Sequence, residues 1–125
     1  MPPRPKSLGD VIREARVAKG WSLREFVKKL GITPSYQSDI ENDRRIPAED
    51  VLRRSAELLD LEFTKLMALG GRLGDDSVEY MVRTPAVGVL FRKLTDADAP
   101  EAFIEQLNKQ VDQAYSPRRP KRTDR

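Results

Sequence analysis

Hydroxyl, amide, carboxylate and guanidinium groups follow one another closely between residues 33 and 45. This segment reads TPSYQSDIENDRR, and its side chains donate and accept hydrogen bonds and can bind anions. No pairing of a nucleophile with a base is recognisable among them. The chain contains no histidine and no cysteine, which excludes thiol chemistry, disulfides, Cys/His zinc sites and histidine-based catalysis. The available chemistry is therefore recognition through hydrogen bonds and charge.

The remaining acidic and glycine-rich positions have simpler explanations than catalysis. Asp75 and Asp76 stand at a predicted helix start, where carboxylates stabilise the helix dipole. Gly70 and Gly71 lack the preceding strand and the lysine of a phosphate-binding glycine loop. We therefore expect a protein that is not an enzyme and that requires no cofactor and no metal.

Charge is distributed unevenly along the 125 residues, although the net formal charge is only +3. Residues 1–69 contain 13 basic and 11 acidic side chains, residues 70–115 contain 5 and 8, and residues 116–125 contain 5 and 1. The acidic middle segment disfavours contacts with phosphate, whereas the two flanking segments carry the positive charge. Because the sequence has neither an apolar run of membrane-spanning length nor a recognisable signal peptide, we expect a cytoplasmic protein.

Two short helices are predicted to meet at a tight turn around Gly31. Ser22 and Glu25 have the spacing of a capping box, which begins a helix over about 22–30. Gly31 can adopt the positive φ that ends this helix. The pattern predicts a well-defined helix on the N-terminal side of the turn.

A second helix is predicted over about 34–41. Thr33 is a suitable N-cap and Pro34 a suitable first residue, because its missing N–H costs nothing there. Two capped helices joined by a turn of three to four residues are typical of a helix-turn-helix motif. The second helix is short and polar, which is expected if its outer face meets DNA rather than protein.

Helical periodicity on either side of this motif predicts an all-α domain of five helices. A first helix is expected over about 7–19, a fourth over about 48–59 and a fifth over about 61–69. We therefore predict a helix-turn-helix domain at 7–70, preceded by a flexible basic arm at 1–6.

Three further short helices are predicted within 75–115, as a small helical C-terminal extension. Their apolar stripes cannot be buried by these helices alone, so they pack either on the fifth helix or on a second copy of the chain. We predict dimerisation as the main role of this region, through Phe91, Leu94, Phe103, Ile104, Leu107 and Val111. Residues 116–125 contain no large apolar residue and are expected to be a disordered basic tail.

With these elements in order, residues 8–67 resemble the lambda-repressor-like, Xre-type helix-turn-helix domain of phage repressors and bacterial regulators. The stretches that carry the resemblance are LGDVIREARVAKGWS, LGITPSYQSDIENDRRIP and the apolar positions from Val51 to Met67. The resemblance covers about half of the chain and implies a five-helix domain whose third helix enters the major groove. The C-terminal third resembles no family that we can name.

The resemblance also implies the residues that act on DNA. Outward residues of the third helix lie at base edges in this family, and the loop that follows approaches phosphates. Carried onto this sequence, the contacts are Thr33, Pro34, Ser35, Tyr36, Ser38, Asp39, Asn42, Arg44, Arg45 and Arg16. By their chemistry, Asn42 could hold an adenine or a phosphate and Asp39 could accept from a cytosine amine. The family further implies a structural brace between Arg16 and Glu41.

Three positions depart from the family pattern. Leu23 replaces the usual glutamine near the start of the second helix, so the phosphate contact of that glutamine is in doubt. Gln37 stands where a branched apolar residue usually packs inward, so either it is buried with a partner or the helix is rotated enough to expose it. Pro34 stands where many relatives carry a polar base reader, so specificity could come partly from DNA shape.

We expect a sequence-specific transcriptional regulator, and more specifically a repressor that binds an inverted repeat as a homodimer through the third helix. Its partner would be double-stranded DNA, and it would be encoded by a bacterium or phage and associated with the nucleoid. The alternative is an antitoxin or a protease-controlled repressor whose C-terminal helices bind a partner protein.

Overall fold

Eight α-helices account for the regular structure of residues 6–115, the part of the chain that the computed structural model describes. They are α1 (Leu8–Ala18), α2 (Leu23–Leu30), α3 (Pro34–Glu41), α4 (Glu49–Leu59), α5 (Phe63–Leu69), α6 (Asp75–Arg83), α7 (Pro85–Ala97) and α8 (Glu101–Ala114). The described part contains no strand, and the predicted all-α fold is confirmed. None of these helices is both long and apolar enough to cross a membrane. The basic arm, except for Lys6, and the basic tail lie outside the described residues.

Local capping fixes where the first three helices begin. The Ser7 and Ser22 side chains each accept from the backbone N–H three residues on, and the acids at those positions bond back to the cap N–H groups. The Thr33 hydroxyl accepts from the Tyr36 N–H at 3.1 Å, and Pro34 occupies the first helical position. Gly31 ends α2 at φ +84°, a left-handed conformation that glycine adopts without strain. The helix-turn-helix geometry is therefore encoded locally.

One hydrophobic core holds α1 to α5 together. In this first unit of the chain, which ends at Val78, α1 packs against α3 and α4, α2 packs against α3 and α4, and α5 packs against α4. Its most buried large side chains include Ile12, Phe26, Leu30, Leu52 and Leu66. The apolar periodicity of the five helices converges on this core, and α3 is held in place from two sides.

The second unit begins at Glu79 and contains the last part of α6 together with α7 and α8. None of its described residues is fully buried. Thr84-Pro85 repeats the dipeptide that begins α3, but the Thr84 side chain makes no capping hydrogen bond, because its backbone ψ of 78° differs from the ψ of 154° at Thr33. The predicted domain boundaries stay predictions.

Candidate nucleic-acid interface

The rotation of α3 about its axis decides which side chains reach solvent. Gln37, Ile40 and Glu41 face inward and are at most 5% exposed. Ser35 is exposed on the opposite face. Since residues three, four and seven apart share a helix face, Ser38, Asp39 and Asn42 lie on the same side as Ser35. We call these four residues the outward face of α3.

The N-terminal end of α3 is open to solvent. Thr33 and Pro34 are both exposed, and Thr33 caps one of the N–H groups there. The positive end of a helix dipole favours nearby anions, phosphates included. The first turn of α3 and its outward face therefore form one continuous polar surface.

Several polar groups of the outward face already bind each other. The Asn42 Nδ2 donates to the Ser38 carbonyl oxygen at 2.8 Å, and lies 3.4 Å from the Ser38 hydroxyl. The Arg44 Nε donates to Asp39 Oδ1 at 3.0 Å. Within the described residues the Ser35 hydroxyl has no hydrogen-bond partner. The surface therefore presents mainly hydroxyl groups and hydrogen-bond acceptors. The Asn42 amide and the Arg44 guanidinium already donate to Ser38 and Asp39.

The two arginines after α3 lie beside the helix. Arg44 binds Asp39, and the Arg45 guanidinium carbon lies 4.4 Å from the centre of the Tyr36 ring, a cation–π distance. Tyr36 is half-buried against the core, and its hydroxyl accepts from the Ala48 N–H at 3.2 Å. Both guanidinium groups are thus anchored on α3 and remain exposed at the edge of its outward face.

A buried polar network connects α3 to α1. Arg16 Nε and Nη2 donate to the two Glu41 carboxylate oxygens at 2.7 and 2.9 Å, and Nη1 donates to the Trp21 carbonyl oxygen at 2.8 Å. Gln37 Nε2 donates to Glu41 Oε2 at 2.8 Å. Gln37 is therefore buried with a partner, one of the two outcomes that the sequence left open. Its Oε1 atom has no hydrogen-bond partner in the described structure.

The network keeps Glu41 ionised. Burial alone would raise the pKa of this carboxyl, but hydrogen bonds from Arg16 and Gln37 and the Arg16 charge together hold it below the ordinary value of 4.5. The Arg16 pKa is raised, chiefly by its hydrogen bonds to Glu41. The pair is thus charged throughout the neutral range, and it fixes α3 relative to α1 rather than presenting Arg16 on the outward face.

Two further residues at this junction were not identified from the sequence. Asp43 adopts φ +58° and accepts from the Gly9 N–H at 3.0 Å and from the Ser7 hydroxyl at 2.7 Å. A Cβ atom on Gly9 would lie 2.6 Å from the carbonyl oxygens of both Ile40 and Glu41. The left-handed tendency of Asn-Asp pairs was a signal for the turn, but nothing local indicated the contact with α1.

The residues predicted for dimerisation all lie in the second unit. Phe91, Phe103 and Val111 are exposed by 43%, 44% and 56%, and Leu94, Ile104 and Leu107 are half-buried. Among residues 6–115, no group of three or more His, Cys, Asp or Glu side chains is arranged to hold a metal ion.

Comparison with known proteins identifies a family and several relatives that this chain is similar to. A family model described as a helix-turn-helix domain matches residues 9–72. The ImmF control region 10 kDa protein of Bacillus phage phi105 is 39% identical over 61 residues, which are 49% of this chain and 68% of that protein. The uncharacterized HTH-type transcriptional regulator YazB of Bacillus subtilis is 33% identical over 58 residues, 46% of this chain and 84% of YazB. A solved SinR protein/SinI protein complex matches 86% of this chain and 97% of its own chain, with 27% identity and a TM-score of 0.48.

Proposed function

The chain belongs to the family of helix-turn-helix domains, and from this we infer that it is a DNA-binding transcriptional regulator. The proposal rests on the outward face of α3. This face is a polar surface on a helix whose opposite face is buried and bound to α1. The relatives' names agree, since YazB is called a transcriptional regulator and the phage protein belongs to a control region. A regulator of this kind acts on DNA in the cytoplasm.

Recognition would proceed through α3 in the major groove. The open N-terminal end of α3 approaches the phosphate backbone, and Ser35, Ser38, Asp39 and Asn42 lie at base edges. Arg45 contributes charge-based affinity that is independent of sequence. Arg16 and Glu41 hold α3 at the correct angle and do not themselves read bases.

A charge placed on the outward face should weaken DNA binding without unfolding the domain. Ser35 is the second residue of α3, where glutamate stabilises a helix, so Ser35→Glu is expected to fold normally. Because the new carboxylate faces phosphates and base acceptors, we expect an affinity loss of at least about tenfold, as for one good base contact. The measurement is fluorescence anisotropy of the full chain with a duplex selected from a randomised pool.

Thr64→Glu is the matched control, because Thr64 is the exposed second residue of α5. This variant should bind like the wild type. An equal loss of DNA affinity in both variants would mean that the added negative charge lowers the affinity wherever it is placed. No enrichment of any sequence by the wild-type chain would contradict the proposed function itself.

The second unit would provide the dimer contact. Its large apolar side chains stay partly exposed in the single chain, whereas most of those on α1 to α5 are buried in a core or packed against it. A second copy offers the same apolar stripes, so pairing can bury them symmetrically. Two copies of α3 would then read an inverted repeat whose half-sites are one helical turn, about 34 Å, apart. Repression by occupying such a site is the mode that we propose.

Solution mass tests this arrangement. The wild-type chain is expected to have twice the mass of one chain, and Phe91→Ser combined with Phe103→Ser is expected to shift it toward the monomer. Lys93→Ser with Lys109→Ser changes exposed polar positions on the same two helices and should leave the dimer intact. A monomeric wild-type chain would contradict the homodimer and would favour a different protein as the partner of the second unit.

A further inference from the structure

Asp39 and Arg44 form an ion pair at the edge of the outward face of α3. The Arg44 guanidinium lies 3.0 Å from Asp39 Oδ1, and the side chains are 61% and 34% exposed. The Arg44 backbone N–H also donates to the Asp39 carbonyl oxygen at 2.8 Å. The backbone bond keeps the guanidinium near Asp39 even when the side chains separate.

An ionised carboxylate is an unusual group to place against DNA. It can only accept hydrogen bonds, whereas phosphates and most major-groove base atoms are acceptors too. The 4-amino group of cytosine is a donor without a neighbouring acceptor on the same base, while the 6-amino group of adenine lies beside the N7 acceptor. Asp39 therefore gains a partner opposite cytosine and faces at least one acceptor atom opposite each of the other bases.

Arg44 can neutralise the charge of Asp39 on DNA of any sequence. While it binds Asp39, the pair is neutral and Arg44 contributes no contact to phosphate. Exposed ion pairs are weakly held, so little is lost when the two side chains separate. Once a cytosine amine takes over Asp39, the guanidinium is free to bind the phosphate backbone.

We propose that Asp39 and Arg44 form a partner-exchange element that selects cytosine. On other sequences the pair stays closed, and the domain gains neither the base contact nor the phosphate contact. Opposite cytosine both contacts form together, so one base change alters two interactions. Asp39 is thereby a specificity-determining residue and Arg44 is the group that it releases. This inference rests on the proposed function, because it requires the outward face of α3 to meet bases.

Four proteins test the exchange on DNA of random sequence. The charge of the pair is zero in the wild type, +1 in Asp39→Asn, −1 in Arg44→Gln and zero in the double variant. Asp39→Asn is expected to bind a random 30-base-pair pool more tightly, with a salt dependence steeper by about one unit of log K per log salt concentration. Arg44→Gln should bind more weakly, and the double variant should return close to the wild type.

Selection from a randomised pool then separates charge from base reading. The wild type is expected to enrich cytosine at one position of each half-site, with a preference of roughly 5- to 150-fold. Asp39→Asn and the double variant should lose that preference, whereas Arg44→Gln should keep only the smaller part that comes from the base contact, at lower overall affinity. Asp60→Asn is the matched control, because it releases Lys19 from a 2.6 Å pair that involves no residue of α3.

Two results would overturn the exchange. One is an Asp39→Asn variant with the wild-type base preference, and the other is an Arg44→Gln variant whose cytosine preference is as large as that of the wild type. Either result leaves the proposed function intact as long as the wild-type chain enriches a sequence. If it enriches none, the proposed function itself is wrong.

Discussion

Alanine in place of Gly9 is expected to destabilise the first unit by about 2–4 kcal/mol, since overpacking a close contact costs about 1–3 kcal/mol or more. The new Cβ would lie 2.6 Å from the carbonyl oxygens of Ile40 and Glu41, and 2.8 Å from Asp43 Oδ1. The carbonyl oxygens belong to the backbone of α3, which cannot rotate away as a side chain can. Helix α1 must therefore move away from α3, and the Gly9–Asp43 hydrogen bond is weakened.

Gly88→Ala is the control for this substitution, because a Cβ at Gly88 in α7 meets nothing within 4 Å. It should be neutral, or stabilising by about 0.5–1 kcal/mol, since alanine is the better helix former. Urea unfolding of both full-length variants gives the comparison. A Gly9→Ala variant as stable as Gly88→Ala would show that the junction of α1 and α3 tolerates expansion.

The position of each helix was predictable because its signals are local. Capping boxes at Ser7 and Ser22 and the left-handed glycine at Gly31 act within a few residues, so the sequence contains all the information they need. The first five observed helices begin and end within one or two residues of the predicted limits. The family of the first unit was predicted for the same reason, and the comparison with the family model confirms it.

The contacts that support α3 were harder to predict. The position of Gln37 on the inner face follows from helical spacing, but whether it finds a partner depends on how close Glu41 lies in three dimensions. The same is true of Arg44, which was assigned to phosphate by resemblance and in the structure binds Asp39. The hydrogen-bond partner of each side chain depends on the distances between helices and loops. A single sequence does not give these distances directly.

Gly9 illustrates this limit most clearly. In the sequence it is an ordinary residue near the start of a helix, where glycine is a weak choice. The need for glycine at this position becomes visible only in the folded chain. There α3 packs against α1, and the carbonyl oxygens of Ile40 and Glu41 leave no room for a Cβ atom. Thr84 is the opposite case, since a dipeptide that caps one helix leaves another uncapped when the backbone differs.

Substitution of Glu41 by glutamine is expected to cost about 3–5 kcal/mol of folding free energy, the usual penalty for leaving one charge of a buried pair alone. The Arg16 and Glu41 side chains are 11% and 5% exposed, so water cannot replace the lost carboxylate. Arg16 would keep its bond to the Trp21 carbonyl but would face a neutral amide instead of a charge. Because α3 loses its ion pair with α1, DNA affinity should fall as well.

Replacing the whole network by apolar side chains separates its effect on folding stability from its effect on the position of α3. Arg16→Met, Gln37→Leu and Glu41→Met together remove every polar side-chain group of the network, including the Gln37 Oε1 atom, and leave only the Trp21 carbonyl oxygen without its Arg16 donor. Buried ion pairs replaced by apolar residues of similar volume are often neutral or more stable. We expect the triple variant to recover most of the stability lost in Glu41→Gln and to bind DNA less selectively. A triple variant as unstable as the single one would mean that the network itself holds the fold.

Acid unfolding provides an independent test of Glu41. Its pKa in the folded chain lies below the ordinary value of 4.5, so its contribution to stability is complete above about pH 4.5. As the pH falls through the lower, folded-state pKa, the carboxylate is protonated and the contribution disappears. The wild type should therefore lose stability more steeply below pH 4.5 than Glu41→Gln, and the two curves should converge. Parallel curves would show that Glu41 has the same pKa in the folded and unfolded chain, and the Arg16 pair would then contribute no net free energy.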